Sequence, residues 1–333
     1  MTAPNASIST VSLPYGTAGI AAAAEVIAAG GCVAVATETV YGLAADATDS
    51  RAVAGIYAAK GRPGFNPLIV HVPDRAAAEA LAVFDDAAAR LADAFWPGPL
   101  TLVLPIREGS GIASLVTAGL PTVAIRVPAH DAMQALLRAT GRPLAAPSAN
   151  ASGSISPTRA QHVLRSLNGR IPLVVDAGPT ARGIESTIIA CVDGQVRQLR
   201  PGPIPREAVA ELLGVAVGGA GAGIEAPGQL ASHYAPSKPV RLNATERQAD
   251  EWLIGFGAVA GDDTLSANGD PVEAAARLFD ALHVADTAAP ARIAVAPVPD
   301  HGLGAAVNDR LRRAAVPAVR HSATRNPSAS SRT

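Results

Sequence analysis

Short apolar runs rich in valine, isoleucine, leucine and alanine recur through the first two hundred positions. Between them the apolar residues return every three or four positions. The runs at 32–36, 68–72, 100–105, 120–128, 144–146, 173–176, 188–192 and 195–199 read as strands. The intervening segments 19–29, 49–59, 74–84, 87–95, 131–140 and 159–167 carry helical spacing, with Asp49 a candidate N-cap and Lys60-Gly61 the stop of its helix. Ser156 or Thr158 offers a cap for the last of these. Strands alternating with helices in this way predict an α/β sheet.

The pattern changes after the breaker Arg200-Pro201-Gly202-Pro203. Residues 217–223 are glycine-rich, and their glycines fall in the wrong register for a dinucleotide-binding loop, with no strand leading into them. His233-Tyr234-Ala235-Pro236 follows, an aromatic patch that a plain spacer does not need; a segment lying across the first domain's opening would need it. A smaller α/β unit then begins, with strands at 240–242, 252–257 and 293–296 and helices at 246–251, 271–282 and 304–315. The last helix is basic at its C-terminal end, which suits the helix dipole. The divisions are an N-terminal arm at 1–13, a first domain at 14–213, a linker at 214–239, a small C-terminal α/β domain at 240–320 and a disordered tail at 321–333.

Composition narrows the function. Hydrophobic residues make up 49% of the chain and charged residues 17%, as in a folded protein. A formal net charge of −1 argues against a sequence-independent grip on nucleic acid, while leaving room for a local basic cleft. Cys32 and Cys191 both sit in apolar runs without paired spacing, as buried free thiols do. No run of about 20 uninterrupted apolar residues suggests a membrane span, and the polar start lacks a secretory pattern, so a cytoplasmic location is expected. His162 and His283 fall in helix patterns and are expected at the surface.

The candidate chemistry gathers around Thr37-Glu38-Thr39-Val40-Tyr41-Gly42-Leu43, where a strand ends in hydroxyls, a carboxylate and a Tyr-Gly turn, and around Lys60-Gly61-Arg62-Pro63-Gly64-Phe65-Asn66-Pro67. Of the 27 lysines and arginines only Lys60 and Lys238 are lysines, so a lysine beside an arginine here suggests a compact ammonium next to a planar fork. The same lysine equally suits a solvated helix C-terminus. Arg126 lies within an apolar strand, a position that favours a paired or ligand-binding arginine. No phosphate-loop, zinc-protease or nucleophile-elbow motif occurs. What remains is Lys60, Arg62, Asn66, Arg126, Ser148, Asn150, Ser156, Ser186 and Arg200, on loops rich in glycine and proline. That inventory offers charge and hydrogen bonds without a nucleophile, and it fits a cleft for anions or nucleotides.

These stretches together resemble the YrdC-like family in its longer two-domain form, the threonylcarbamoyl-AMP synthases. The K-x-R and S-x-N pairs stand here as Lys60-Gly61-Arg62 and Ser148-Ala149-Asn150. T-E-T-V-Y-G-L, N-P-L-I-V-H-V at 66–72, W-P-G-P-L-T at 96–101, A-I-R-V-P, E-S-T-I at 185–188, R-P-G at 200–202, H-Y-A-P and N-D-R-L-R-R-A-A accompany them in order. The resemblance implies a YrdC-like twisted mixed sheet plus a smaller C-terminal Rossmann-like α/β domain. It implies formation of threonylcarbamoyl-AMP and pyrophosphate from L-threonine, bicarbonate and ATP with Mg²⁺, by nucleotidyl transfer. A downstream tRNA threonylcarbamoyl transferase would use the product.

Carried over by position, Lys60, Arg62, Ser148 and Asn150 would be catalytic. Lys60, Arg62, Asn66, Thr122, Ser148, Ser156, Arg200 and Tyr234 would bind ATP. Thr39, His71, Arg126, Ala146 and Ser186 would bind threonine, with no metal ligands assigned. An RNA-binding module of the same fold is the alternative, and weak RNA binding could accompany the synthase; aromatics at 3% offer few stacking platforms for it. A relative in metallocentre assembly would bring acylphosphatase and zinc-finger segments, which the sequence lacks.

Overall fold

In the computed structural model, which describes residues 9–221, 223–230 and 232–316, one sheet is laid down by β1 (Val11–Pro14), β2 (Val33–Ala36), β3 (Tyr41–Asp46), β4 (Ile69–His71), β5 (Leu100–Pro105), β6 (Thr122–Arg126), β7 (Leu144–Ala145), β8 (Leu173–Asp176), β9 (Thr187–Val192) and β10 (Gln195–Arg200). Their spatial order is β1-β8-β2-β3-β7-β4-β6-β5-β9-β10. Pairing is parallel for β1–β8, β8–β2, β4–β6 and β5–β9 and antiparallel elsewhere, so the sheet is mixed. The helices between the strands are α1 (Thr17–Ala28), α2 (Ser50–Lys60), α3 (Arg75–Glu79), α4 (Asp86–Phe95), α5 (Ser114–Thr117), α6 (Asp131–Thr140), α7 (Ala160–Leu167) and α8 (Arg206–Leu213).

Local chemistry explains the sharpest boundaries. Asp49 caps α2 by accepting from the N–H groups of Arg51 and Ala52, and Gly61 ends it in the left-handed region at φ 60°. Alternation along β6 shows how the two faces divide. Val123 and Ile125 join the main core with residues of α2, α4 and α7. Thr122, Ala124 and Arg126 therefore face the other way. On that second face α1 and α6 cover the β2, β3 and β8 side. The remaining part, floored by Ile69, Val103, Ala124, Ile188, Ala190 and Leu199, is packed by Ala226 of the 214–239 segment. This half-covered sheet face is the cleft.

Several local expectations are corrected. Residues 11–13 are not a loose arm but the start of an edge strand paired with β8, and Thr10 ties down through Ile171 O at 2.6 Å; residues 1–8 lie outside the described part. Tyr41-Gly42 is not a turn. The turn is 37–40, closed by Thr37 Oγ1, which accepts from the N–H groups of Thr39 and Val40 at 3.2 Å each. Segment 74–84 is helical only to Glu79, because Ala82 bridges to Ile106. Neither Ser156 nor Thr158 caps α7: the cap is Arg159 without a side-chain bond, and both hydroxyl residues have other partners. Helix α8 was not anticipated. Cys32 and Cys191 are buried free thiols, their pKa values pushed by burial up to about 11 and about 12.

The second unit has four parallel strands, β11 (Val240–Arg241), β12 (Glu251–Gly255), β13 (Asp263–Thr264) and β14 (Arg292–Val295), in the order β11-β14-β12-β13. Helices α9 (Pro271–Thr287) and α10 (Leu303–Ala314) complete it. Residues 246–251 are not a helix. The Glu251 carboxylate accepts from Arg241 and from the Gln248 N–H, which organises a loop instead. The expected tail at 321–333 lies outside the described residues, and no helix among the described ones is long and apolar enough to cross a membrane.

The two units meet closely. Val40, Ile155 and Ile184 of the first pack with Tyr234 into the core formed by α9 and α10. Gly183 adopts φ +69°, and a Cβ there would stand 2.2 Å from Ala276 O, so a side chain at 183 would push α9 away. His162 of α7 is buried and His283 of α9 is half-buried, so neither is the exposed surface residue expected: their rings stack at 3.7 Å, and Arg159 forks onto Asp280 alongside. Burial, then His283, brings His162 down to about 3, and burial brings His283 down to about 4, against the raising influence of Asp280 and Asp286 and with the lowering one of Arg159 and Arg165.

An unfolded histidine titrates near 6.5, so below that pH the unfolded chain binds more protons than this neutral stack does. The stack's contribution is complete above about pH 6.5 and is lost as the pH falls towards about 4 and then about 3. His283→Phe keeps a ring without the titration. Thermal melts between pH 7 and pH 4 are expected to fall less steeply for that variant than for the natural chain; equal slopes would contradict this account.

Candidate active site

Strand register alone puts Arg126, at the end of β6, far from the turn before β3. Yet Arg126 Nη1 donates to Thr39 Oγ1 at 2.9 Å and Nε to Gly98 O at 3.2 Å. Its Nη2 lies 2.6 Å from Glu38 Oε1 without the alignment of a hydrogen bond, leaving Nη2 and both Glu38 oxygens without a directed partner. Burial pushes the Glu38 carboxyl up, and Arg126 beside it more than offsets this, holding it below the ordinary carboxylate value. His71, register partner of Arg126, has no partner for Nδ1. Burial, then the Arg126 charge, brings it down to about 3, so its ring is neutral.

A second corner holds the lysine. Lys60 is 3% exposed, and its Nζ donates to Ser148 O and Asn150 O at 2.5 Å each, with Asn150 Oδ1 at 3.5 Å. Helix α2 thus delivers the ammonium to the loop after β7. Burial, then the Arg62 charge, lowers its pKa well below the ordinary lysine value. Arg62 does not reach this loop. It folds over its own segment, donating to Asn66 O at 3.2 Å and Pro67 O at 2.9 Å. Burial brings Arg62 down to about 10. The Asn66 amide is buried with both its nitrogen and its oxygen unpaired. Asn150 donates Nδ2 to Ser154 O at 2.8 Å, which braces the loop. Thr122 shares the cleft face with Arg126, roughly 13 Å away along β6 by strand rise.

The third group surrounds the linker. Arg200 at the end of β10 donates to Ser186 O at 3.0 and 2.9 Å and to Ser186 Oγ at 3.0 Å, while Ser186 Oγ also meets Thr101 Oγ1 at 2.8 Å. Ser156 Oγ donates to Glu185 Oε1 in a short bond. Tyr234 is buried with its hydroxyl unpaired, close to Gly228 and Arg200. His233 is buried beside it, held well below its ordinary value by burial and then by the charges of Arg62, Lys60, Arg200 and Arg310. His233 and Tyr234 of the 214–239 segment therefore lie beside these cationic side chains.

Among the described residues, and apart from Thr180 and Trp252, buried polar atoms without a hydrogen bond fall on Asn66, His71, His233 and Tyr234, and on Glu38 and Arg126, which hold each other as an ion pair at 2.6 Å. Buried polar atoms in folded proteins are ordinarily paired, so a cluster of orphans marks a place prepared for a ligand. Ala146 donates its N–H to Ile69 O at 2.9 Å, so a main-chain contact with threonine would fall to its carbonyl.

Glu38, His233 and Arg310 were not singled out from sequence. Arg310 was read with the basic end of its helix, and the structure corrects this: it is fully buried, with Nε on Glu185 Oε2 at 2.9 Å and Nη1 on Pro201 O at 2.8 Å. Glu38 stood within the quoted motif, and an arginine inside an apolar strand was the signal that a carboxylate partner had to be found.

Comparison with known proteins identifies the family. The model of the Sua5–YciO–YrdC family, described as "Telomere recombination", matches residues 25–202, and one described as "Threonylcarbamoyl-AMP synthase, C-terminal domain" matches residues 204–316. A threonylcarbamoyl-AMP synthase of Bacillus subtilis is 40% identical over 321 residues, 89% of this chain and 92% of that protein. One of Pyrococcus abyssi is 41% identical over 317 residues, 88% of this chain and 92% of that protein. The crystal structure of Pyrococcus abyssi Sua5 complexed with L-threonine superposes with a TM-score of 0.83 at 38% identity, covering 92% of this chain and 97% of that one.

Proposed function

The chain belongs to the Sua5–YciO–YrdC family in its two-domain form, and from that premise we propose that it forms threonylcarbamoyl-AMP and pyrophosphate from L-threonine, bicarbonate and ATP, as an L-threonylcarbamoyladenylate synthase of the nucleotidyltransferase class. The observation that carries the proposal is the cluster of buried, unpaired polar atoms around one cationic cleft. Threonine sits at the Arg126 corner: the guanidinium takes its carboxylate, and Thr39, neutral His71 and Ser186 supply further hydrogen bonds. ATP lies along the cleft face towards Lys60, Arg62, Asn66, Thr122 and Ser148, with Ser156, Arg200 and Tyr234 flanking it.

Bicarbonate gives up hydroxide to supply CO2, the threonine amine takes up the CO2 as a carbamate, and the proton it loses leaves with the hydroxide as water. A carbamate oxygen attacks the α-phosphorus in line and pyrophosphate leaves. Charge moves onto the leaving phosphates in this step, and pre-placed cations stabilise it there. The two nearest carboxylates are already engaged, Glu38 with Arg126 and Glu185 with Ser156 and Arg310. Mg²⁺ would therefore enter with ATP and not on a protein carboxylate, and would supply further neutralisation of the phosphates.

The product goes on to a tRNA threonylcarbamoyl transferase. Pyrophosphate release is the test: it is expected only when threonine, bicarbonate and ATP are all present. Salt-steep RNA binding with no pyrophosphate release would favour the RNA-binding alternative instead.

A further inference from the structure

We propose that Arg310, supplied by the second domain, is a positioning residue for the nucleotide side of the cleft; this rests on the functional reading above. Its guanidinium is fully buried and reaches two first-domain loops at once. Nε donates to Glu185 Oε2 at 2.9 Å, Nη2 lies 3.5 Å from Glu185 O, and Nη1 donates to Pro201 O at 2.8 Å. Asp309 on the same helix holds Nη1 from behind at 2.8 Å. Glu185 in turn accepts from Ser156, and Pro201 follows Arg200, whose own guanidinium is fastened to Ser186. The Tyr234 ring stands over Arg310, with 5.4 Å from Cζ to its centroid.

One side chain of α10 thus fixes the positions of Ser156, Arg200 and Tyr234 without touching substrate. It also neutralises Glu185. Left alone, that carboxylate would be a buried negative charge among the groups that hold a polyphosphate, opposing ATP directly. The second domain is therefore part of the nucleotide site's construction. A cover that merely opened and closed would need no buried arginine fastened to two loops beneath it.

Calorimetric titration of the full chain with a non-hydrolysable ATP analogue, and separately with threonine, tests this. Arg310→Met is expected to weaken the analogue at least tenfold and threonine less than threefold. Adding Glu185→Gln to Arg310→Met removes the freed charge and is expected to restore most of the analogue affinity, which loss of packing alone would not do. Where Arg310→Met fails to fold, Arg310→Lys keeps a charge without the fork, and an intermediate loss of analogue affinity is expected. The proposal is overturned if the folded variant binds the analogue like the natural chain, if Glu185→Gln brings no recovery, or if Arg310→Lys is indistinguishable from the natural chain. A natural chain that bound no analogue would instead remove the functional reading itself.

Discussion

Replacing Lys60 with alanine is expected to lower threonine-dependent pyrophosphate release by about 10²–10³-fold, the scale reported by deleting one pre-placed charge-stabilising group. The fold should survive. The acceptors left behind are two carbonyls, of Ser148 and Asn150, and one amide oxygen. Losing their donor costs about 1–3 kcal/mol, which lowers stability but leaves a folded chain where the net stability is about 5–15 kcal/mol. Lys60→Arg is not expected to rescue, because a planar fork cannot converge on the oxygens that cage a compact ammonium. Near-normal turnover in Lys60→Ala, with an unchanged melting temperature, would remove the lysine from the chemistry.

The same lysine carries a signature that is independent of rate. Burial, then the Arg62 charge, lowers its pKa well below the ordinary lysine value. A bound polyphosphate brings negative charge next to the ammonium and raises that pKa again. ATP binding is then coupled to uptake of a proton at pH values between the two, and the heat of binding varies with the ionisation heat of the buffer. In Lys60→Met that variation should vanish.

The parts of this site that could be read from the chain are those whose cause is local. Asp49 and Gly61 bound α2 through their own neighbours, so the delivery of Lys60 to a loop mouth was legible, and Ser148 and Asn150 were visible as a hydroxyl and amide pair in the loop that receives it. The alternation of Thr122, Ala124 and Arg126 also carries its own face assignment. What stayed hidden depends on partners distant in sequence. Strand β1 exists because β8 offers it an edge, 162 positions on. The stacked His162 and His283, and the hold of Arg310 on Glu185, cross from one domain to the other. A helical pattern reports which face is apolar, and it is silent about a charged residue buried because another domain supplies its counter-charge.

Arg126 gives the second large effect, and a paired variant separates its two consequences. Arg126→Met leaves Glu38 as a buried carboxylate with no counter-charge. Breaking one side of a buried pair costs about 3–5 kcal/mol, so the melting temperature should fall by several degrees and Glu38 should titrate well above its present depressed value. Threonine binding should be lost as well, since the guanidinium that meets its carboxylate is gone. Those two outcomes alone do not distinguish a dead site from a damaged fold. Adding Glu38→Gln removes the stranded charge, and the double variant should recover most of the melting temperature, because replacing both members of a buried pair is often close to neutral. It should recover none of the threonine binding. A double variant that regained threonine affinity along with stability would show that Arg126 serves only Glu38, and the amino-acid corner of the cleft would have to be sought elsewhere.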